Sequence, residues 1–163
     1  MKVLRHGLVS ALLVLASVGL GACSENDEGG GMESTEADNR LRAETAKLAR
    51  LLADKPPEDG QGEFLTCEPE VYDGNVYPTY SARVALFPAA ITVLEQDVVP
   101  AMEADGWVLR RRDSESYVAF DFDKDGFIVG ATVPTGPRAS GISVGGSGPC
   151  VKDDGTTGLI HDE

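Results

Sequence analysis

Tyr117-Val118-Ala119-Phe120-Asp121-Phe122-Asp123-Lys124-Asp125-Gly126-Phe127-Ile128-Val129-Gly130-Ala131-Thr132-Val133 is the stretch on which the fold turns. Apolar and β-branched residues lie on both sides of Asp125-Gly126, and an Asp-Gly pair between two such runs is the strongest short-range hairpin signal. The reading predicts two antiparallel strands with the reversal at Lys124-Asp125-Gly126. The same residues carry a competing pattern. Asp121, Asp123 and Asp125 fall at positions 1, 3 and 5 of an EF-hand loop, with Gly126 at position 6 and Ile128 at position 8. Calcium takes six to eight oxygens, and the EF-hand draws two of them from a glutamate at position 12. That position here is Thr132, and the flanks read as strands where the motif needs helices. The expectation is a hairpin with no dedicated metal, leaving Asp121, Asp123 and Asp125 as weak candidates for a surface Ca²⁺ site.

Working back from the hairpin, Ile91, Leu94, Val98, Val99 and Met102 recur at helical spacing and form a core-facing stripe. Pro88 stands at the start of this helix, Gly106 follows it in the C′ place, and Pro100 should kink or split it. Trp107 to Arg112 then reads as a strand. On it Arg110 and Arg112 face one way and Arg111 the other; this basic cluster is read as a solvated strand end rather than an anion site. Further back, Phe64 to Cys67 and Tyr77 to Phe87 read as strands, with a loop over 58–62 and a turn at Asp73-Gly74-Asn75. Tyr72, Tyr77 and Tyr80 near that turn are read as half-buried sheet residues rather than a binding face. An amphipathic helix over Asn39–Asp54 uses Leu41, Leu48, Leu51 and Leu52, capped by Asp38 or Asn39 and stopped by Pro56-Pro57. After the hairpin come a loop at Pro134 to Pro137 and a short strand, Ile142 to Val144. Gly145 to Pro149 is read as a turn into Cys150, and residues 151–163 as a fraying, disordered tail.

Helix, two strands, helix, then a meander of strands argues for an α+β fold: a largely antiparallel sheet with two helices on one face, in a single domain over residues 39–150. Residues 23–38, acidic and holding three consecutive glycines, are read as a flexible tether.

The chain begins with a basic segment, Lys2, Arg5 and His6, followed by an apolar run from Leu8 to Leu20. A run of about 13 residues is too short to span a bilayer, which needs roughly 20, and the layout is that of a secretory signal. It ends in Leu20-Gly21-Ala22-Cys23. These residues resemble the lipobox of bacterial lipoprotein precursors. The resemblance implies removal of residues 1–22 and a lipidated N-terminal Cys23, hence a lipid anchor on the extracytoplasmic face of the cell membrane. With Cys23 assigned to lipid, Cys67 and Cys150 remain as an even pair in an oxidising compartment, and a disulfide between them is expected.

The formal net charge is −13, and loss of Lys2 and Arg5 with the signal makes the remainder more acidic still. Such a surface repels nucleic acid, which is excluded as a partner. Arg outnumbers Lys, and Ala, Gly, Val and Asp are plentiful, a usage seen in high-GC Gram-positive bacteria.

The chemical inventory is thin. His6 leaves with the signal and His161 stands two residues from the end, so a histidine-assisted nucleophile or a histidine zinc site has no base held in place. No Ser-x-x-Lys motif and no phosphate-cradling glycine loop are present. The lipobox, the acidic tether, the Gly106-Trp107 unit and the Ser147-Gly148-Pro149-Cys150-Val151 ending resemble small actinobacterial lipoproteins of uncharacterised function. The resemblance implies an envelope location and no particular reaction. The reading is a lipid-anchored envelope protein with a non-enzymatic binding or scaffold role and no cofactor. Its partners are the membrane, through the N-terminal lipid, and an envelope protein or small-molecule ligand. The alternatives are a Ca²⁺-responsive envelope module or a carboxylate-based hydrolase.

Overall fold

The computed structural model describes residues 31–68, 71–137 and 140–158. Cys23, the signal and residues 24–30 lie outside the described residues, as does His161. Among the described residues no helix is long and apolar enough to cross a membrane.

The elements run α1 (Ser34–Ala53), β1 (Glu58–Glu68), β2 (Val71–Val84), α2 (Ala90–Val93), a π-helical turn (Leu94–Val98), α3 (Val99–Ala104), β3 (Val108–Asp113), β4 (Tyr117–Lys124), β5 (Phe127–Pro134), β6 (Ile142–Ser147) and β7 (Val151–Lys152). The strands form one sheet in the order β1-β2-β6-β5-β4-β3, with β7 also on β2. Every strand pair is antiparallel. The fold is α+β with both helical segments on one face.

Alternation decides which side chains meet them. Phe120 and Phe122 on β4, Phe127, Val129 and Ala131 on β5, Ile142 and Val144 on β6, and Ala82 and Val84 on β2 all bury inward. Against them α1 lays Ala37, Leu41, Leu48, Ala49 and Leu52. Arg40 and Arg42 flank this stripe and lie over the rings of Phe127 and Tyr80 at 4.5 and 4.7 Å. Their guanidinium groups meanwhile pair with Asp125 and Asp38, so their stems add apolar cover while the charge stays satisfied.

The β4–β5 hairpin turns on Asp125 and Gly126 alone, with Lys124 opposite Phe127. Both turn residues have positive φ, 53° and 78°, as the two-residue I′ turn requires. The second helical segment runs unbroken from Ala90 to Ala104 and presents Ala90, Leu94, Val98 and Met102 to the core. A regular α-helix gains about 40° beyond a full turn every four residues, so this four-residue spacing would spiral off the core. The wider i→i+5 turn at Leu94–Val98 holds the stripe in line. It also accommodates Pro100, whose ring would otherwise meet the carbonyl of Gln96. At the far end Gly106 (φ 85°) donates to the Glu103 carbonyl at 2.9 Å and Trp107 to that of Met102 at 3.1 Å. This is a Schellman stop, and it drops Trp107 into the core, 3% exposed.

Three expectations are corrected. Residues 34–38 are not tether: α1 starts at Ser34, and Ser34 and Ala37 are buried. The reason lies at the other end of the chain. Residues 151–163 are not all a fraying tail, because Val151 and Lys152 pair with Val76 and Asn75, and Lys152 also bridges Glu33. The residues after them cap the helix. Thr35 N–H donates to the Asp154 carboxylate at 3.1 Å, and Asp154 N–H donates to Ser34 Oγ at 3.1 Å. The Glu33 side chain makes no cap, so this remote carboxylate takes the place of a local one. Third, β1 includes residues 58–62, and β2 runs straight through Asp73-Gly74-Asn75. β1 and β2 are already paired at Glu68 and Val71, ahead of Asp73. Gly74, at φ 84°, is a kink inside the strand, with the Asp73 carboxylate accepting from Asn75 N–H at 2.9 Å.

Asp154 supplies a pH prediction. Hydrogen bonds from Thr156 first, and then from Thr35, hold its carboxyl well below the usual carboxylate range. A depressed folded pKa stabilises above the unfolded value of about 4, and that contribution fades as the pH falls toward the folded value. Denaturant midpoints taken at pH 5 and pH 2 should therefore fall further for the parent chain than for Asp154→Asn. Asp73 and Asp105, also lowered by hydrogen bonds from Asn75 and Lys47, leave a residual acid dependence in the variant. An equal fall in both proteins would show that the cap adds no charge-dependent stability.

Candidate functional site

The two polar features legible in the sequence, the aspartates and the arginines, meet on the outer face of the sheet. Arg110 stands opposite Asp121 in the β3–β4 register. The ion pairs run diagonally: Arg112 donates to Asp121 at 2.9 and 2.6 Å, and Arg110 lies 2.8 Å from Asp123. Arg111 points to the helical face, as strand parity predicts. It lies over Phe120 at 5.1 Å, and binds Asp113 at 2.8 Å and Glu95 at 2.5 Å. Those two carboxylates raise its pKa, Asp113 first. Arg111 thus clamps the π-helical turn to β3, a role that the sequence alone did not signal.

Asp125 takes no part in the outer cluster, because its carboxylate accepts from Arg40 of α1 at 2.9 Å. The three aspartates of the EF-hand-like pattern are therefore not brought together; each answers an arginine. Among the described residues no group of three or more His, Cys, Asp or Glu could hold a metal. Tyr77 and Tyr80 are three apart on β2 and so fall on opposite faces and share no surface; the side chain of Tyr72 lies outside what is described. Gly145-Gly146-Ser147, read as part of a turn, instead continue β6 beside Thr79, Tyr80 and Ser81.

Cys67 and Cys150 form a disulfide, with Cα atoms 5.9 Å apart. Cys67 lies on β1 and Cys150 in the connection between β6 and β7, so the bond ties that connection to β1 across β2. Far sequence ends are tied, but of the two cysteines only Cys67 lies on an edge strand.

The concave surface lies elsewhere, at the end of the domain where α1 and β2 stop and α2 begins. Two depressions adjoin there and share Phe87. One, of about 360 Å³, is lined by Leu52, Ala53, Pro56, Val84, Ala85 and Phe87, with Lys55, Glu58 and Arg83 on its rim. The other, about 530 Å³ and more open, runs from Leu86 and Pro88 across to Val133 and Pro134. Ala89, an exposed residue of its lining, has φ 68°, a left-handed conformation that alanine adopts only under constraint from its surroundings. Sequence reading missed this cleft because its walls come from α1, β2 and β5, and only the fold assembles them.

The chain matches no protein-family model, and no curated protein resembles it. Among solved structures it is similar to the candidate lipoprotein LppA from Mycobacterium tuberculosis, at 14% identity with a TM-score of 0.41, over 80% of this chain and 86% of that one.

Proposed function

We propose that this chain is a bacterial lipoprotein whose domain is held at the extracytoplasmic face of the cell membrane and binds a ligand or partner without catalysing a reaction. The observation that carries the reading is Leu20-Gly21-Ala22-Cys23 directly after a basic segment and a short apolar run. Cleavage before Cys23 and lipidation of its thiol and new amino group would leave residues 24–33 to link the lipid to α1. That helix, 20 residues and thus about 30 Å long, enters the domain at Ser34 and ends at Ala53 beside the 360 Å³ cleft. On this reading the cleft is offered at the end of the helix away from the attachment point. The lack of a catalytic role is argued from the two histidines, one in the signal and one two residues from the C-terminus. It is argued too from the outer-face carboxylates, each of which already answers an arginine.

Fractionation of cells carrying Cys23→Ala tests the anchor. The parent protein should partition with membranes, and the processed variant should move wholly to the soluble or secreted fraction. A processed variant that still sediments with membranes as the parent does would overturn the lipid anchor.

A further inference from the structure

The chain is strongly acidic, with a formal net charge of −13, and most of its described cations are spent on its own carboxylates. Arg40, Arg42, Lys47, Arg110, Arg111 and Arg112 each form an ion pair. Lys124 donates to the Asp105 carbonyl and lies against Trp107. Arg50, Lys55, Arg83 and Lys152 do neither, and of these four Lys55 and Arg83 line the same apolar cleft, where both are exposed. Glu58, the register partner of Arg83 on β1, also reaches that rim but forms no ion pair with it, so the rim keeps one net positive charge. Below these side chains, the buried Leu52 and Val84 and the half-buried Phe87 offer an aliphatic and aromatic wall. A volume of about 360 Å³ is at the small end of the range for ligand sites.

An apolar trough beneath two unpaired cations is complementary to one ligand chemistry: an aliphatic chain that ends in an anion. We propose that this cleft binds a single-chain aliphatic anion of the long-chain carboxylate class. The chain would lie along Leu52, Val84 and Phe87, with its carboxylate between Lys55 and Arg83. The inference gives the binding reading above a ligand class, and it depends on that reading only for its setting at a membrane. Burial of methylenes supplies the affinity, at about 0.8 kcal/mol each. The two cations supply the choice of sign, since a like charge in the same place is repelled.

The test uses the chain from Ser24 onward, which contains every helix and strand described above, and dodecanoate below its micellar concentration. Titration followed by amide NMR should give saturable shifts centred on Ala53, Ala85 and Phe87. Dodecyltrimethylammonium, with the same chain and the opposite charge, should not saturate. Lys55→Glu/Arg83→Glu should weaken dodecanoate by about tenfold or more and admit the ammonium compound instead. Both replaced residues are at the rim, so the variant should keep the parent's circular dichroism; if it does not, Ala85→Trp, which fills the trough, replaces it in the same titration. The proposal is overturned if dodecanoate does not saturate, if its shifts lie elsewhere, or if both head groups bind the parent equally. These outcomes are independent of where Cys23→Ala fractionates, so failure of the ligand class and failure of the anchor are told apart.

Discussion

A chain with Cys67 and Cys150 both replaced by alanine is expected to lose about 4–5 kcal/mol of folding stability. The bond spans 83 positions of sequence, and closing a loop of that size in the denatured chain removes entropy worth about that much at 25 °C. Against a typical total of about 5–15 kcal/mol this is roughly a quarter or more of the stability of a small domain. The unfolding temperature should drop by roughly 15 °C for a domain of this size. The effect acts mainly on the denatured state, because the native neighbours of the bond survive its removal: β1 and β6 each keep their own ladder to β2. Urea denaturation of the oxidised parent, the reduced parent and the double variant decides the matter. The last two should coincide, both well below the first. A difference under about 1 kcal/mol would mean that the denatured chain is already restricted and that the bond holds little.

How far the fold could be read in advance depended on whether the signal was local. Asp125-Gly126 announced its turn because only a few residues tolerate positive φ twice in succession. Gly106 announced the end of its helix for the same reason, and strand parity placed Arg111 apart from Arg110 and Arg112. Where the determinant was remote, the local signal misled. Residues 34–38 look like tether because their cap, Asp154, is 119 positions away from Thr35. Glu58-Asp59-Gly60-Gln61-Gly62 has little strand propensity, and becomes an edge strand because β2 offers it a ladder, with a register shift between Glu58 and Gln61. Asp73-Gly74-Asn75 is a genuine turn signal used for a kink, since strand pairing continues on either side of it. The aspartates and arginines were visible as charges, but only the fold shows them answering one another. The cleft was invisible, because Leu52, Arg83 and Phe87 converge from separate elements.

Gly146→Ala is expected to destabilise the domain by about 3 kcal/mol or more, although it adds a single methyl group. Gly146 sits on β6 opposite Tyr80 on one side and Val129 on the other. A Cβ there would lie 1.8 Å from the Ile128 carbonyl oxygen and 2.9 Å from the Val129 Cα. Those are backbone atoms of a central strand, so no side chain can swing aside, and β5 must move away from β6 to admit the methyl. Gly145 meets the same limit on the opposite side, where a Cβ would stand 2.2 Å from the Tyr80 carbonyl oxygen. The two glycines therefore set how closely β2 and β5 approach β6, a use of glycine in strand interiors that the composition alone reads as a turn. Gly136→Ala is the control, since a Cβ there meets nothing within 4 Å, and it should change the urea midpoint little. If Gly146→Ala proves as mild as Gly136→Ala, the sheet yields at β6. The spacing between β2 and β5, whose ends carry Val84 and Val133 to the two halves of the cleft, would then be set by the helices packed across them.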